Sequence, residues 1–197
     1  MIFGGARRFG ALLAVALGCG ASGALAQSGR SSAATAHLYW ANVNGTIVEA
    51  NLNGRSAKTI ASGQSGPNGV AVSGSHLYWA NPTAGTIVEA NLSGTGAKAI
   101  AKGQSYPYGV AVSGSHLYWA NYGRYATGGW IVEAKLDGTA AKTIARGQNG
   151  PDGVAVSSSH VYWGNSTFGT IVEANLNGTG AKTIARGQGP RGVAVGP

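Results

Sequence analysis

The chain repeats itself, and that constrains its fold more than any other feature. His37-Leu38-Tyr39-Trp40-Ala41-Asn42 returns at residues 76–81 and 116–121, and again as His160-Val161-Tyr162-Trp163-Gly164-Asn165. A second block, Gly45-Thr46-Ile47-Val48-Glu49-Ala50-Asn51-Leu52, returns from Gly85, Gly129 and Gly169. A third, Ala57-Lys58-Thr59-Ile60-Ala61, returns from Ala97, Ala141 and Ala181, and Gly69-Val70-Ala71-Val72 returns from Gly109, Gly153 and Gly192. The four histidines are spaced by 39, 40 and 44 residues. A unit of this size cannot bury its own apolar face alone, so copies stack on their neighbours and share a core.

Each block is short, rich in β-branched and aromatic residues, and bounded by Gly, Asn, Ser or Pro, which are strand signals. Asn53-Gly54, Ser93-Gly94, Asp137-Gly138 and Asn177-Gly178 read as hairpin turns between strands. No segment after the first 26 residues carries a helical period. Glycine is abundant, at 34 residues, but 44% of the chain is hydrophobic. A disordered chain lacks that apolar content, so the glycines are turn punctuation. Both faces of the strands are apolar, as small sheets sandwiched between neighbours require. The expected fold is all-β: a β-propeller of four four-stranded antiparallel blades.

At these residues the chain resembles a known family. Tyr-Trp-Ala-Asn, then Gly-Thr-Ile, then Asn-Leu-Asn/Asp-Gly-Thr, then Pro-x-Gly-Val-Ala-Val is similar to the YWTD repeat. This is the class B repeat of low-density-lipoprotein receptors and its bacterial relatives, and the resemblance runs from residue 37 to 195. The chain departs from it at Ala-Asn or Gly-Asn, where the family has Thr-Asp, and at Ser73, Ser113 and Ser157, where an Asp is common. The resemblance implies a propeller used for recognition or scaffolding, and in the receptors a ring of six blades.

Naming the strands a to d outward from Gly-Val-Ala-Val, residues 37–197 begin on strand b and end on strand a. The repeats are 37–75, 76–115, 116–159 and 160–197. The C-terminal strand then supplies the inner strand that the N-terminal blade lacks, and the ring closes by their pairing, which removes open edges. The rival arrangement is a homodimer through terminal strand exchange, in which two chains meet head to tail in a larger ring.

Residues 1–26 read as a signal peptide. Arg7 and Arg8 precede a short apolar run, and Ala24-Leu25-Ala26 offers small residues for cleavage. That run is too short to span a bilayer. Residues 27–36 are expected to be a flexible segment. The expected location is periplasmic or secreted, with lipid anchoring at Cys19 disfavoured because Leu17-Gly18-Cys19 is a poor lipobox. Cys19 is the only cysteine, so the mature chain has no thiol chemistry or disulfide. Loss of Arg7 and Arg8 lowers the formal charge from +8 to +6, and the remaining basic residues are spread over the repeats. A nucleic-acid partner, which would need them clustered, is not expected.

The residues that differ between repeats point to the site. Between the loop proline and strand a stand Asn68, Tyr108, Asp152 and Arg191. The third repeat has a longer b-to-c loop with Tyr122, Arg124 and Tyr125, followed by Trp130, and Tyr106 and Phe168 belong to the same face. Tyr, Trp and Arg are enriched at binding hot spots, and loops on a rigid scaffold carry function. Neutral drift of solvent-exposed loops is the competing explanation. The repeated Tyr-Trp pairs read as packing, Glu49 and its copies as cross-strand partners of Lys58 and its copies, and the repeated histidines as structural. No catalytic residue, metal site or cofactor is expected.

The reading is therefore an extracytoplasmic binding or scaffold module for a protein, peptide or glycan. One alternative is a multivalent lectin-like protein using the repeated Asn and Trp. Another is a lyase- or lactonase-type propeller enzyme, for which only Asp152 and Asn68 are well placed.

Overall fold

A computed structural model describes residues 36–124 and 128–196. The expected leader, Cys19 and Tyr125 lie outside the described residues. Fifteen strands form four sheets in chain order, with no helix among the described residues. Blade 1 is β1 (His37–Asn42), β2 (Thr46–Asn51) and β3 (Lys58–Ala61). Blade 2 is β4 (Val70–Ser73), β5 (His76–Asn81), β6 (Thr86–Asn91) and β7 (Lys98–Ala101). Blade 3 is β8 (Pro107–Ser113), β9 (His116–Asn121), β10 (Gly129–Lys135) and β11 (Lys142–Gln148). Blade 4 is β12 (Pro151–Val156), β13 (His160–Asn165), β14 (Thr170–Asn175) and β15 (Lys182–Ala185).

Every pairing within a blade is antiparallel between chain neighbours. The b and c strands keep one register throughout: Tyr39 faces Glu49, Tyr78 faces Glu89, Tyr118 faces Glu133 and Tyr162 faces Glu173. Each c–d ladder carries an irregularity at the same place, as between Ile47 and Val48. The repetition in sequence thus becomes repetition in geometry, down to the bulge.

The core is shared between blades rather than held inside them. Tyr39, Ala41 and Ile47 of blade 1 pack with Val70, Leu77, Trp79, Val88 and Ala90 of blade 2. Tyr78, Ala80 and Ile87 meet Val110, Leu117, Trp119, Val132 and Ala134 in the same way, and Tyr118, Ala120 and Ile131 meet the counterparts on blade 4. Side chains alternate along a strand, so one face of each sheet serves the preceding interface and the other the following one.

Polar groups repeat with equal regularity. The glutamine after strand d in blades 1 and 2, and at its end in blade 3, reaches into the next blade: Gln64 Oε1 accepts from Trp79 Nε1 at 2.9 Å and Asn81 Nδ2 at 3.1 Å. Gln104 does the same for Trp119 and Asn121, and Gln148 for Trp163 and Asn165. A buried indole N–H needs such a partner. Within each blade Glu49, Glu89, Glu133 and Glu173 lie between a histidine on strand b and a lysine on strand d. The pairs in blade 1 are His37 Nδ1 at 3.0 Å and Lys58 Nζ at 2.9 Å. Cross-strand lysine partners are as expected; the histidines join them. Burial, with the neighbouring glutamate, pushes the Tyr39, Tyr78 and Tyr118 phenols up to about 12.

The inner strands β4, β8 and β12 lie side by side. They approach so closely that a Cβ on Gly109 would stand 2.5 Å from Asp152 O and 2.6 Å from Val154 N, and one on Gly153 would stand 2.7 Å from Gly192 Cα. Only glycine permits that approach.

The all-β propeller fold with antiparallel blades is the one expected. Blade 1 has three strands, and residues 192–195 form no strand and pair with none of blade 1. Gly192 instead continues the line of inner glycines past blade 4, against Gly153.

Candidate functional site

The inner glycines place the variable residues. Asn68, Tyr108, Asp152 and Arg191 each immediately precede one of Gly69, Gly109, Gly153 and Gly192, which stack in that order. The backbone bond from Gly69 N to Tyr108 O, 2.9 Å, fixes one step of the row. Four different side chains therefore succeed one another along one rim of the inner wall.

At the centre of the rim, Tyr108 meets Tyr122 edge to face, with ring centroids 5.3 Å apart and planes at 83°. That is a favoured aromatic arrangement. Tyr122 enters from the b-to-c loop of blade 3, its backbone N–H bonded to Tyr106 O at 3.1 Å. Tyr106 has a positive φ of 51°, a strained backbone for a non-glycine residue, and its side chain is exposed. Asn68 anchors its backbone N–H on Ala80 O. Among the described residues its side-chain amide makes no hydrogen bond.

The electrostatics join the same residues. Burial raises the Asp152 carboxyl to about 6, and the Arg191 guanidinium opposes that rise. Burial also raises the Tyr108 phenol, followed by the charges of Asp152 and of its tyrosine neighbours, with Arg191 again opposing. Asp152 thus changes charge close to neutrality. The sign follows from the neutral form being favoured in the fold: stability from this group is highest below its ordinary value of 3.8 and falls as pH rises from 3.8 to about 6. Asp152→Asn is expected to be more stable than the parent at pH 7, on the order of 2 kcal/mol. Its urea midpoint should also lose the parent's decline between those two pH values. A parent midpoint flat across that window would contradict the burial of the carboxylate.

The remaining candidates separate. Arg124 is exposed in the same long loop. Trp130 is partly buried and packs against the core between blades 2 and 3. The Asn121 side-chain amide lies between both neighbours, Gln104 and Trp130: with its oxygen turned to this side it accepts from the Trp130 indole N–H at 2.8 Å. Phe168 is 63% exposed and lines a hollow between the end of blade 3 and blade 4, with Gln148, Asn149, Lys182 and Arg186. Sequence reasoning passed over Gln64, Gln104, Gln148 and Gln188; their signal was a Gly-Gln pair at the same place in all four repeats. The repeated Asn and Trp, candidates for equivalent ligand sites, are occupied by those glutamines at every blade junction.

The fold and this rim define the class of the chain, a β-propeller with one row of variable residues on a repeated frame. Solved structures share that fold. The crystal structure of a nidogen/laminin complex matches with a TM-score of 0.76 and 22% identity over 82% of this chain and 65% of that one. A TolB protein from Agrobacterium tumefaciens matches with 0.63 and 16% identity, over 76% of this chain and 57% of that one. A streptogramin B lyase matches with 0.61 and 14% identity, over 75% and 50%. The chain thus spans less than two-thirds of each of these. No family model matches the sequence, and no curated protein does. The β-propeller implied by the YWTD resemblance is the fold observed.

Proposed function

We propose that this chain is an extracytoplasmic binding module that recognises a protein, peptide or glycan through the rim formed by Asn68, Tyr108, Tyr122, Asp152 and Arg191. The observation that carries the reading is the Tyr108–Tyr122 edge-to-face pair set beside an acid and a guanidinium on an otherwise repeated wall. Aromatic faces suit sugar rings and peptide side chains, and Asp152 with Arg191 offers oriented acceptor and donor groups. The fold shared with a nidogen solved in complex with laminin accords with protein recognition. An exported location follows from the same reading of residues 1–26.

The test is a glycan array and a displayed peptide library, each probed with the parent and with Tyr108→Ala and Arg191→Ala. Ligands selected by the parent should lose roughly thirtyfold or more in affinity with Tyr108→Ala, the scale of a hot-spot truncation. Unaltered thermal unfolding would show that the loss is local. Ligands that bind both variants as tightly as the parent would sink the proposal.

A further inference from the structure

The repeats offer an internal comparison at the outer part of each blade junction, where one blade ends in its glutamine and the next presents its c and d strands. After the glycine that leads into strand c, blades 1, 2 and 4 have a threonine, Thr46, Thr86 or Thr170; blade 3 has Trp130. Register makes Trp130 and Thr170 equivalent, since Trp130 faces Asn121 and Thr170 faces Asn165. Side chains alternate between the faces of a strand. Thr170 therefore shares with Val172 the face turned to blade 3, as Trp130 shares with Val132 the face turned to blade 2.

Between blades 2 and 3 the Trp130 indole packs against the cluster that contains Val132, and its N–H reaches the Asn121 side-chain amide at 2.8 Å. Between blades 3 and 4 the threonine leaves the corresponding space open. A hollow of about 370 Å³ lies there, and Gln148, Asn165, Thr170 and Val172 line it. Three of these are the counterparts of Gln104, Asn121 and Val132, which stand about the indole one junction earlier. Its size is that of a small-molecule site.

The walls of this hollow are equipped for a guest. Asn165 is 4% exposed, and its Nδ2 donates to Gln148 Oε1 at 3.2 Å and Thr170 Oγ1 at 3.3 Å. Its Oδ1 is buried with no hydrogen-bond partner among the described residues. A buried amide oxygen without a donor is a standing cost that a ligand N–H relieves. Phe168, exposed at the lip, stands where blade 2 has Ala84 and blade 3 has Gly128. An aromatic ring there gives a planar guest a face to lie against. Lys182 and Arg186 bring positive charge to the same hollow. Lys182 lies 3.7 Å from Glu173, where the matching lysines of the other blades are within 3.0 Å of their glutamates. Arg186 is exposed and makes no ion pair among the described residues.

We propose that the hollow between blades 3 and 4 binds a small planar aromatic acid, an indole-like ring that carries an N–H donor and a carboxylate. The ring takes the space that Trp130 fills one junction earlier, against Val172 and Phe168. Its N–H donates to the Asn165 side-chain oxygen, and its carboxylate meets the Arg186 guanidinium with Lys182 beside it. A free indole acid and a tryptophan at the end of a peptide both offer this chemistry. The site shares no residue with the rim of Asn68, Tyr108, Tyr122, Asp152 and Arg191, and the proposal is independent of what that rim binds.

Equilibrium dialysis of the purified chain against indole-3-acetate should give a dissociation constant on the order of 100 µM, the scale for a ligand of this size. A tetrapeptide ending in tryptophan, dialysed in parallel, identifies the source by which of the two binds more tightly. Neutral indole should bind about tenfold more weakly than the acid, and Arg186→Gln should bring the acid down to the level of indole. Thr170→Trp gives blade 4 the side chain that blade 3 already carries, so it should abolish binding without lowering the melting temperature. Should that variant fail to fold, Phe168→Ala decides, because it alters an exposed side chain; affinity should then fall about tenfold. Absence of binding by both the acid and the peptide would overturn the proposal, as would an affinity untouched by Thr170→Trp or by Phe168→Ala. Equal binding of acid and indole, unchanged in Arg186→Gln, would overturn the assignment of the carboxylate.

Discussion

Trp119→Ala is expected to cost about 4 kcal/mol, the scale for truncating a fully buried aromatic. Trp119 is fully buried at the junction of blades 2 and 3, among Tyr78, Ala80, Ile87, Val110 and Leu117. Removing the indole leaves a void that rigid sheets on both sides cannot close. It also removes the 2.8 Å bond to Gln104 Oε1. An acceptor that loses a buried donor forfeits hydration without replacement, which adds to the packing loss. Urea denaturation followed by intrinsic fluorescence measures the total. The informative comparison is Trp40→Ala, the same residue at the same point of the repeat. Trp40 is only half-buried and has no glutamine partner among the described residues. Its replacement should cost about half as much or less. Equal losses at the two positions would mean that the stability resides in the single sheet rather than in the junction.

Gly109→Val should prevent the chain from folding, or destabilise it by more than about 4 kcal/mol. The atoms its Cβ would meet are Asp152 O at 2.5 Å and Val154 N at 2.6 Å, both backbone of the neighbouring inner strand. A flexible side chain could swing away, but backbone held in a β-ladder moves only with its blade. Relief therefore requires blades 3 and 4 to part along the inner wall, which opens the cluster that joins them. Gly189→Val is the control: it has no heavy atom within 4 Å of its Cβ position and no positive φ, so the change should be within about 0.5 kcal/mol. Circular dichroism melts of the two variants beside the parent separate these outcomes. A Gly109→Val melt that matches the parent would show that the inner strands stand farther apart than the structure has them.

Much of this was legible in the residues themselves. The b and c strands, their turns at Asn-Gly and Asp-Gly, and the Glu49–Lys58 pairing follow from alternation, β-branching and glycine placement, which act over a few residues. The rim was legible in part. Asn68, Tyr108, Asp152 and Arg191 were found because they vary where everything around them repeats. That Trp130 packs against the core, or that Phe168 lines another hollow, was not readable, because one loop differing in length gives no direction for its side chains. The glutamine at each junction escaped notice for a related reason: its partners Trp79 and Asn81 are 15 and 17 residues further along, in another sheet.

The sequence by itself determined the unit, the number of its copies and the order of strands within each, because hydrogen-bonded hairpins between chain neighbours depend on local pattern. Only the tertiary structure decided which face of each sheet meets which neighbour, how close the inner strands come, and where the terminal segment goes. Those depend on side chains from different repeats filling one space, and four copies of one sequence supply identical parts without saying how the first and the last are to be joined.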